Sequence, residues 1–269
     1  NQWMLSANGT IFTYEFEAII PGLLKRWYAE RQEMQRKMNE CGDNEIEREF
    51  WDKRQLVKKI NLNSLYGAIL NPGCRFFDLR IGQSVTLTGR CITKHMGAKV
   101  NEVITGNYDH RGEAIIYGDT DSVYFSAYKP LQNEIQSGKI PWQKENIINL
   151  YDKISDEVNG SFTQFMTKAF HCPKTRGEVI AAGRELVASK GLFITKKRYA
   201  VLYFDKEGER TDTAGTPGKM KAMGLDLKRS DTPVFVQDFL SELLMLVLTN
   251  KNEKEVLDRI SKFREEFKA

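Results

Sequence analysis

Residues 117–122 have the sequence Tyr-Gly-Asp-Thr-Asp-Ser, with short apolar and aromatic runs on both sides at about 113–117 and 122–127. Strand-forming runs separated by Gly-Asp-Thr-Asp are typical of a β-hairpin with a tight turn. The hairpin places Asp119 and Asp121 two residues apart at its tip. Carboxylates so close repel each other unless a cation is near, so the tip is a candidate site for a divalent metal. The alternative is an ordinary solvated Asp-rich turn.

The flanking sequence alternates helical patterns with further strand patterns. Helices are predicted at about 17–38 and 45–66, and the break between them, rich in Gly and Asn, indicates two antiparallel neighbours. A third helix follows the Asn-Pro-Gly at 71–73, a fourth covers about 147–165, and the chain becomes helical and amphipathic from residue 233. Strands are predicted at about 178–182, 192–195 and 199–204. This order predicts an α+β fold, with helices packed on an antiparallel sheet.

Composition excludes several classes of protein. The chain has 269 residues, 41% hydrophobic and 28% charged, which is ordinary for a globular protein. Its longest apolar stretch, near 243–248, is too short to cross a bilayer, and no signal peptide opens the chain, so we expect no membrane partner and a cytoplasmic location. The four cysteines lack CxxC spacing, which argues against a zinc site or a disulfide framework.

A second candidate site lies on the second predicted helix. Lys59, Asn63 and Tyr66 follow one another at spacings of four and three, so they share one face and could meet a phosphate, a base and a sugar. The alternative is a solvated polar face that ends in a glycine C-cap at Gly67. Arg31 on the preceding helix adds a cation that could reach the same phosphates.

Basic residues are concentrated in the last third of the chain. Residues 190–229 hold ten Lys and Arg against five Asp and Glu, although the whole chain has a net charge of only +4. Such clusters neutralise backbone phosphates without reading sequence, and the alternative is a solvated strand edge that discourages aggregation. The candidate contacts are Lys196, Lys197, Arg198, Tyr199, Lys219 and Lys221.

These motifs occur in the order in which they occur in family B DNA polymerases, which the chain resembles over nearly its whole length. The family pattern Lys-x-x-x-Asn-Ser-x-Tyr-Gly matches residues 59–67, and Tyr-Gly-Asp-Thr-Asp-Ser matches 117–122. Lys-Lys-Arg-Tyr matches 196–199, and Lys-x-Lys-x-x-Gly matches 219–224. The chain resembles the tailed-phage branch of the family.

The resemblance implies a domain plan and residue roles. Residues 1–14 would lead from the palm into a fingers hairpin at 15–70, followed by the palm at 71–225 and a partial thumb at 226–269. Nucleotide contacts would come from Arg31, Lys59, Asn63, Tyr66 and Gly67, and Lys59 would also protonate the departing pyrophosphate. DNA contacts would come from Tyr117 and from the candidate contacts listed above for residues 196–199, 219 and 221. Asp121 and Asp119 would bind the metal. The implied cofactor is a pair of Mg²⁺ ions, and the implied partners are primer-template DNA, deoxynucleoside triphosphates and a sliding clamp.

The sequence departs from the family pattern in two places. Polymerases of this family take a first catalytic Asp from a Ser-Leu-Tyr-Pro-Ser element before the fingers, and no such element occurs here. Gln35 stands where many relatives have Lys. We therefore expect the chain to be inactive alone and to need an N-terminal polymerase half that carries the exonuclease and the first Asp.

Three interpretations remain open at this stage. The chain could be the C-terminal part of a naturally split polymerase, which would work in the host cytoplasm if a phage encodes it. It could be a fragment of a single-chain polymerase. It could also be a non-catalytic module that binds DNA or a polymerase partner, in which case Asp119 and Asp121 are vestigial. Either polymerase interpretation predicts an exposed apolar surface where the missing half would dock.

Overall fold

The computed structural model describes residues 3–213 and 215–268 and divides the chain into two compact units. The first unit contains the described residues up to Ile92 together with Phe162–Val179, and the second contains Thr93–Ser161 and the described residues from Ile180 onward. Within the described residues, none of the helices combines the length and the hydrophobicity that crossing a bilayer requires.

The first unit consists of a small hairpin and long helices. Strands β1 (Trp3–Leu5) and β2 (Ile11–Thr13) pair in antiparallel fashion. Helices α1 (Ile19–Glu40) and α2 (Glu45–Ile69) follow, and α3 (Leu79–Thr105) begins in this unit and ends in the second. Asn44 caps α2 by accepting a hydrogen bond from the backbone N–H of Glu47.

Helices α1 and α2 form the antiparallel pair that the sequence predicts. Arg31 Nε donates to Gln55 Oε1 at 3.2 Å, and the ammonium of Lys37 lies 4.7 Å from the centre of the Trp51 ring. Moving forward along α1 thus means moving backward along α2, as antiparallel helices require. The ion pair between Glu30 of α1 and Lys58 of α2, at 2.5 Å, follows the same antiparallel order. Much of this interface is polar, and no residue of α1 is fully buried.

The second unit is built on two antiparallel sheets. Strands β3 (Ile115–Asp119) and β4 (Ser122–Phe125) form one hairpin. The other sheet has β6 (Arg198–Lys206) at its centre, between β5 (Leu186–Thr195) on one side and β7 (Glu209–Arg210) and β8 (Lys219–Met223) on the other. The remaining α-helices are α4 (Gln132–Gln136), α5 (Lys144–Phe170), α6 (Lys174–Gly177), α7 (Val234–Leu248) and α8 (Glu253–Lys268). Helix α5 ends in the first unit, and the short α6 lies in the first unit.

Strand β6 is buried on both faces because two helices contact this sheet. Ala200 and Leu202 pack with Leu248 of α7 in one apolar cluster. Phe204 packs with Val187 of β5 and Ile148 of α5 in another. Central strands covered on both faces are continuously apolar rather than alternating, as the sequence from Tyr199 to Phe204 is.

The predicted α+β class is confirmed, and most predicted elements lie within a few residues of their observed positions. The predicted strand at 178–182 is wrong, since these residues form a turn and an irregular segment without strand pairing. The backbone of Ala182 instead bonds to the side chain of Asn159. The Asn159 side-chain amide donates to the Ala182 carbonyl at 2.6 Å, and the Ala182 N–H donates to Asn159 Oδ1 at 2.8 Å. A side chain thus satisfies backbone groups that a neighbouring strand would otherwise bind. Strand β5 is also longer than predicted and begins at Leu186.

Asn101 connects the end of α3 to the start of β3. Its side chain is 1% exposed. The amide nitrogen donates to the carbonyl of Asn107 at 2.8 Å, and the amide oxygen accepts from the backbone N–H of Ala114 at 3.2 Å. These bonds fix the loop that delivers the chain into the carboxylate hairpin.

We expect Asn101→Ala to lower the free energy of unfolding by about 1–3 kcal/mol, because it leaves the backbone N–H of the buried Ala114 without its partner. Urea denaturation measures the change. Asn149→Ala is the matched control, since Asn149 is exposed on α5, and it should change stability by less than about 0.5 kcal/mol. Equal stability of the two variants would contradict the role given to Asn101.

Candidate active site

The turn between β3 and β4 contains only two residues. Asp119 and Ser122 are the last paired residues of the hairpin, so Thr120 and Asp121 form its tip. Thr120 has a φ of +42°, in the left-handed region that β-branched residues rarely adopt. Its hydroxyl donates to Asp119 Oδ1 at 3.2 Å, and the Ser122 hydroxyl donates to the carbonyl of Asp119 at 3.2 Å. The tip is therefore braced by its own polar side chains.

The two carboxylates of the hairpin have different surroundings. Asp119 is half-buried and forms an ion pair with Lys197 Nζ at 2.9 Å. The hydrogen bond from Lys197 lowers the pKa of Asp119, and the same contact raises the pKa of Lys197. Asp121 is exposed, and among the described residues no cation lies within ion-pair distance of it. Asp121 is thus the carboxylate that is open to a ligand.

Four aromatic side chains form a cluster beside the hairpin. They are Tyr117 and Tyr124 of the hairpin with Phe193 and Tyr199 of the larger sheet, and their ring centroids lie 5.2–6.1 Å apart. The Tyr124 hydroxyl donates to that of Tyr199 at 3.1 Å, and burial raises the pKa of Tyr124. The Tyr117 hydroxyl accepts a bond from the backbone N–H of Lys197 at 2.8 Å. This cluster ties the carboxylate hairpin to the turn between β5 and β6.

The predicted basic motifs lie on adjacent strands. Arg198 begins β6, and its Nε donates to the carbonyl of Gly224, the residue after β8, at 3.2 Å. Gly224 has a φ of +62°, and a Cβ there would overlap the carbonyl oxygen of Lys197. On β8, Lys221 pairs with Glu185 at 2.6 Å, whereas Lys219 is exposed. Lys196 is exposed as well.

The predicted nucleotide-binding residues all lie on the helical hairpin of the first unit. Lys59 and Asn63 are exposed on α2, and the Tyr66 hydroxyl donates to the carbonyl of Gly82 at 3.1 Å. Gly67 does not cap the helix, because α2 continues to Ile69. The alternative of a glycine C-cap is therefore wrong. Arg31 is half-buried and bonded to Gln55.

Arg36 is the residue after Gln35 on α1. Its guanidinium pairs with Glu33 at 2.7 Å and Glu40 at 2.6 Å, both on its own helix. Both contacts are made on the exposed surface of α1.

A cavity of about 580 Å³ lies in the second unit, and Asp121 is part of its lining. Strand β4 contributes Val123 and Phe125, and β5 contributes Leu186 and Val187. In the described part of the chain, β4 pairs only with β3 and β5 only with β6. The cavity is therefore lined by two strands that each have one edge without a β-partner.

The carboxylates present supply only part of a metal site. In residues 3–213 and 215–268, no group of three or more His, Cys, Asp or Glu side chains is placed to hold a metal ion. Carboxylate oxygens are nonetheless the ligands that Mg²⁺ prefers, and Asp121 offers them in an accessible position. The residues fit a metal whose other ligands come from outside the described chain.

Comparison with known proteins supports the assignment that the motifs suggest. The profile described as DNA polymerase family B matches residues 4–169 and 178–269. The chain belongs to this family. It is 33% identical over 207 residues to the DNA-directed DNA polymerase of Escherichia phage RB69, a match that covers 72% of this chain and 22% of that protein.

Two further relatives come from a phage and an archaeon. The chain is 28% identical over 226 residues to the DNA-directed DNA polymerase of Enterobacteria phage T4, covering 80% of this chain and 24% of that enzyme. It is 25% identical over 262 residues to DNA polymerase 1 of Pyrococcus abyssi strain GE5 / Orsay, covering 95% of this chain and 28% of that protein. The chain thus spans about a quarter of the length of these relatives.

Some functional contacts were not predicted from the sequence of this family B chain. Lys197 was predicted to bind DNA, but its pairing with Asp119 was not, because the two residues are 78 positions apart. Phe193 and Tyr124 of the aromatic cluster were also missed. The sequence shows only that each is an aromatic residue in a predicted strand, and aromatic residues are common in strands with no functional role.

We expect Lys197→Met to raise the pKa of Asp119 toward its usual value, because the carboxylate loses its main cationic partner. In the parent protein the ionised pair is intact at and above the usual carboxyl range and breaks as the pH falls through the lowered pKa. Titration of the Asp119 carboxyl carbon by NMR measures the shift.

Lys196→Met is the matched control for this change. Lys196 lowers the Asp119 pKa only through a weaker charge interaction, so its loss should move that pKa less. An equal shift in both variants would mean that the ion pair is not the main cause.

We expect Gly224→Ala to destabilise the protein more than Gly208→Ala. Both glycines have positive φ, but only the methyl group at Gly224 would overlap a backbone carbonyl, that of Lys197. The left-handed conformation alone costs an alanine about 1–2 kcal/mol, and the overlap adds to that cost at Gly224. Urea denaturation of the two variants compares them, and equal stability would exclude the close approach.

Proposed function

We propose that this chain is the polymerising part of a family B DNA polymerase, of the tailed-phage branch, that transfers nucleotides to a primer end under the direction of a template. One observation carries this proposal: Asp121 is exposed at the tip of a two-residue turn, while Asp119 beside it is occupied by Lys197. A turn with a purely structural role does not require one of its two carboxylates to be exposed without a cationic partner. The family membership and the order of the motifs support the same activity.

In this proposal the domain plan follows the family. The α1–α2 hairpin corresponds to the fingers at 15–70, the sheets with their helices to the palm at 71–225, and α7 and α8 to the start of the thumb at 226–269. Residues 1–14 belong to the palm segment before the fingers.

The side chains have distinct roles in the proposed reaction. Lys59 binds the triphosphate and holds a proton at Nζ for the departing pyrophosphate, while Arg31 binds the γ-phosphate. Asn63, Tyr66 and Gly67 shape the pocket for the nascent base pair. The exposure of Lys59 and Asn63 and the tethering of Tyr66 to Gly82 are consistent with these roles.

Asp121 is the proposed ligand of the catalytic magnesium ions. Bound Mg²⁺ supplies charge neutralisation on the phosphates and lowers the pKa of the primer 3′-hydroxyl. The ion pair supports a role for Asp119 mainly in shaping the turn, so we rank its proposed contribution to metal binding below that of Asp121. DNA contacts come from Tyr117, Lys196, Lys197, Arg198, Tyr199, Lys219 and Lys221, which lie on the hairpin and on the basic strands beside it.

The remaining metal ligand is proposed to come from an N-terminal polymerase segment that also carries the exonuclease. The cavity that Asp121 lines supports this idea, because two of its lining strands, β4 and β5, each have only one β-partner among the described residues. An extended segment can bind such an edge through main-chain hydrogen bonds and bring a carboxylate next to Asp121. The segment belongs either to a separate protein or to the same chain in a longer enzyme. A sliding clamp is a further proposed partner, and the host cytoplasm is the proposed location of a phage-encoded enzyme.

Primer extension tests the proposed function. With Mg²⁺ and all four deoxynucleotides, we expect no extension by this chain alone and extension once the N-terminal segment is added. Asp121→Asn should then reduce the rate by more than about 100-fold, because losing a metal ligand costs more than losing a group that supports one. Asp119→Asn should reduce it by less than about tenfold.

Asp156→Asn is the matched control, since Asp156 is exposed on α5, and it should leave the rate unchanged. Extension by this chain alone would contradict the need for an external carboxylate. No extension in the mixture, together with DNA affinity that neither magnesium nor nucleotide changes, would favour the non-catalytic binding module. Equal losses in the Asp119 and Asp121 variants would overturn the ranking of the two carboxylates.

A further inference from the structure

The tip of the carboxylate hairpin is bonded to helix α3 as well as to the basic strands. The hydroxyl of Thr93 donates to the carbonyl oxygen of Thr120 at 2.8 Å. Thr120 is the residue between the two aspartates. In the described part of the chain, this is the one hydrogen bond that the backbone of the two tip residues receives from outside the hairpin.

The position of this bond determines what it can control. The Thr120 carbonyl and the N–H of Asp121 belong to one planar peptide group, so a bond that fixes the carbonyl fixes the whole plane. That plane sets the direction in which the Asp121 side chain leaves the backbone. The tip needs such a restraint, because Thr120 has a left-handed φ that is unfavourable for a β-branched residue.

We propose that Thr93 is a positioning residue that aims the Asp121 carboxylate for metal binding. This inference rests on the proposed function, in which Asp121 is the metal ligand. Helix α3 is a suitable anchor, because a long helix holds its side chains more rigidly than a loop does. In this proposal Thr93 acts on Asp121 through the Thr120–Asp121 peptide, to which it is bonded.

The test measures Mn²⁺ binding to the protein rather than catalysis. Mn²⁺ is titrated into the isotope-labelled chain, and the broadening of the amide NMR signals of residues 117–124 gives a dissociation constant for the hairpin. Thr93→Val keeps the shape of the side chain but removes the hydroxyl. We expect it to weaken Mn²⁺ binding by roughly three- to tenfold, the range that the loss of one hydrogen bond produces.

Two further variants separate positioning from stability. Thr93→Ser keeps the hydroxyl and should bind Mn²⁺ within about twofold of the parent protein. Thr249→Val removes a hydroxyl that bonds only to carbonyls of its own helix, those of Met245 and Leu246, and it should not change the affinity. Thermal unfolding of each variant confirms that the titration is done on folded protein, and Thr93→Ala replaces the valine variant if that variant does not fold.

The outcomes distinguish this inference from the proposed function. If Asp121→Asn abolishes the broadening but Thr93→Val binds as the parent does, the positioning role is wrong while the metal site stands. Equal weakening in the valine and serine variants would also exclude a role for the hydroxyl. If Asp121→Asn leaves the broadening unchanged, the metal assignment itself is wrong, and the role of Thr93 is wrong with it.

Discussion

The ion pair between Lys197 and Asp119 is the contact on which the arrangement of the candidate site depends. It joins the tip of one hairpin to the turn of another, and the bond from the Lys197 backbone to the Tyr117 hydroxyl strengthens the same junction. Both groups are partly exposed, so the pair adds little to global stability. Its effect is on geometry, because it fixes where the two strand turns meet.

This junction also gives two neighbouring aspartates different electrostatic environments. Asp119 has a cation within hydrogen-bond distance, which favours its charged form and satisfies it within the protein. The Asp121 side chain is exposed and lines the adjoining cavity. A hairpin tip can therefore carry two negative charges without strong repulsion and still leave one of them for an external cation.

The sequence predicted the elements and motifs far better than the contacts between them. Helices α1, α2 and α5 follow from apolar periodicity, and the carboxylate hairpin follows from its turn residues, since both signals are local. The failed strand at 178–182 depends on Asn159, a residue about twenty positions earlier, whose side chain binds the backbone of Ala182. The bond from Thr93 to Thr120 and the Lys197–Asp119 pair are equally non-local. The local sequence around Thr93 in α3 or Lys197 in the β5–β6 turn does not indicate which distant group the side chain will contact.

The pairing of β6 with β8 has a mechanical consequence for the basic residues. Tyr199 lies opposite Met223, and Val201 lies opposite Lys221, so two motifs that are separated in sequence form one hydrogen-bonded ribbon. A slip of one residue between the strands would turn the lysines of β8 to the opposite face, and the close approach of Gly224 to Lys197 opposes such a slip. The pairing therefore holds the cations of the two strands at a fixed spacing, which flexible loops carrying the same residues would not maintain.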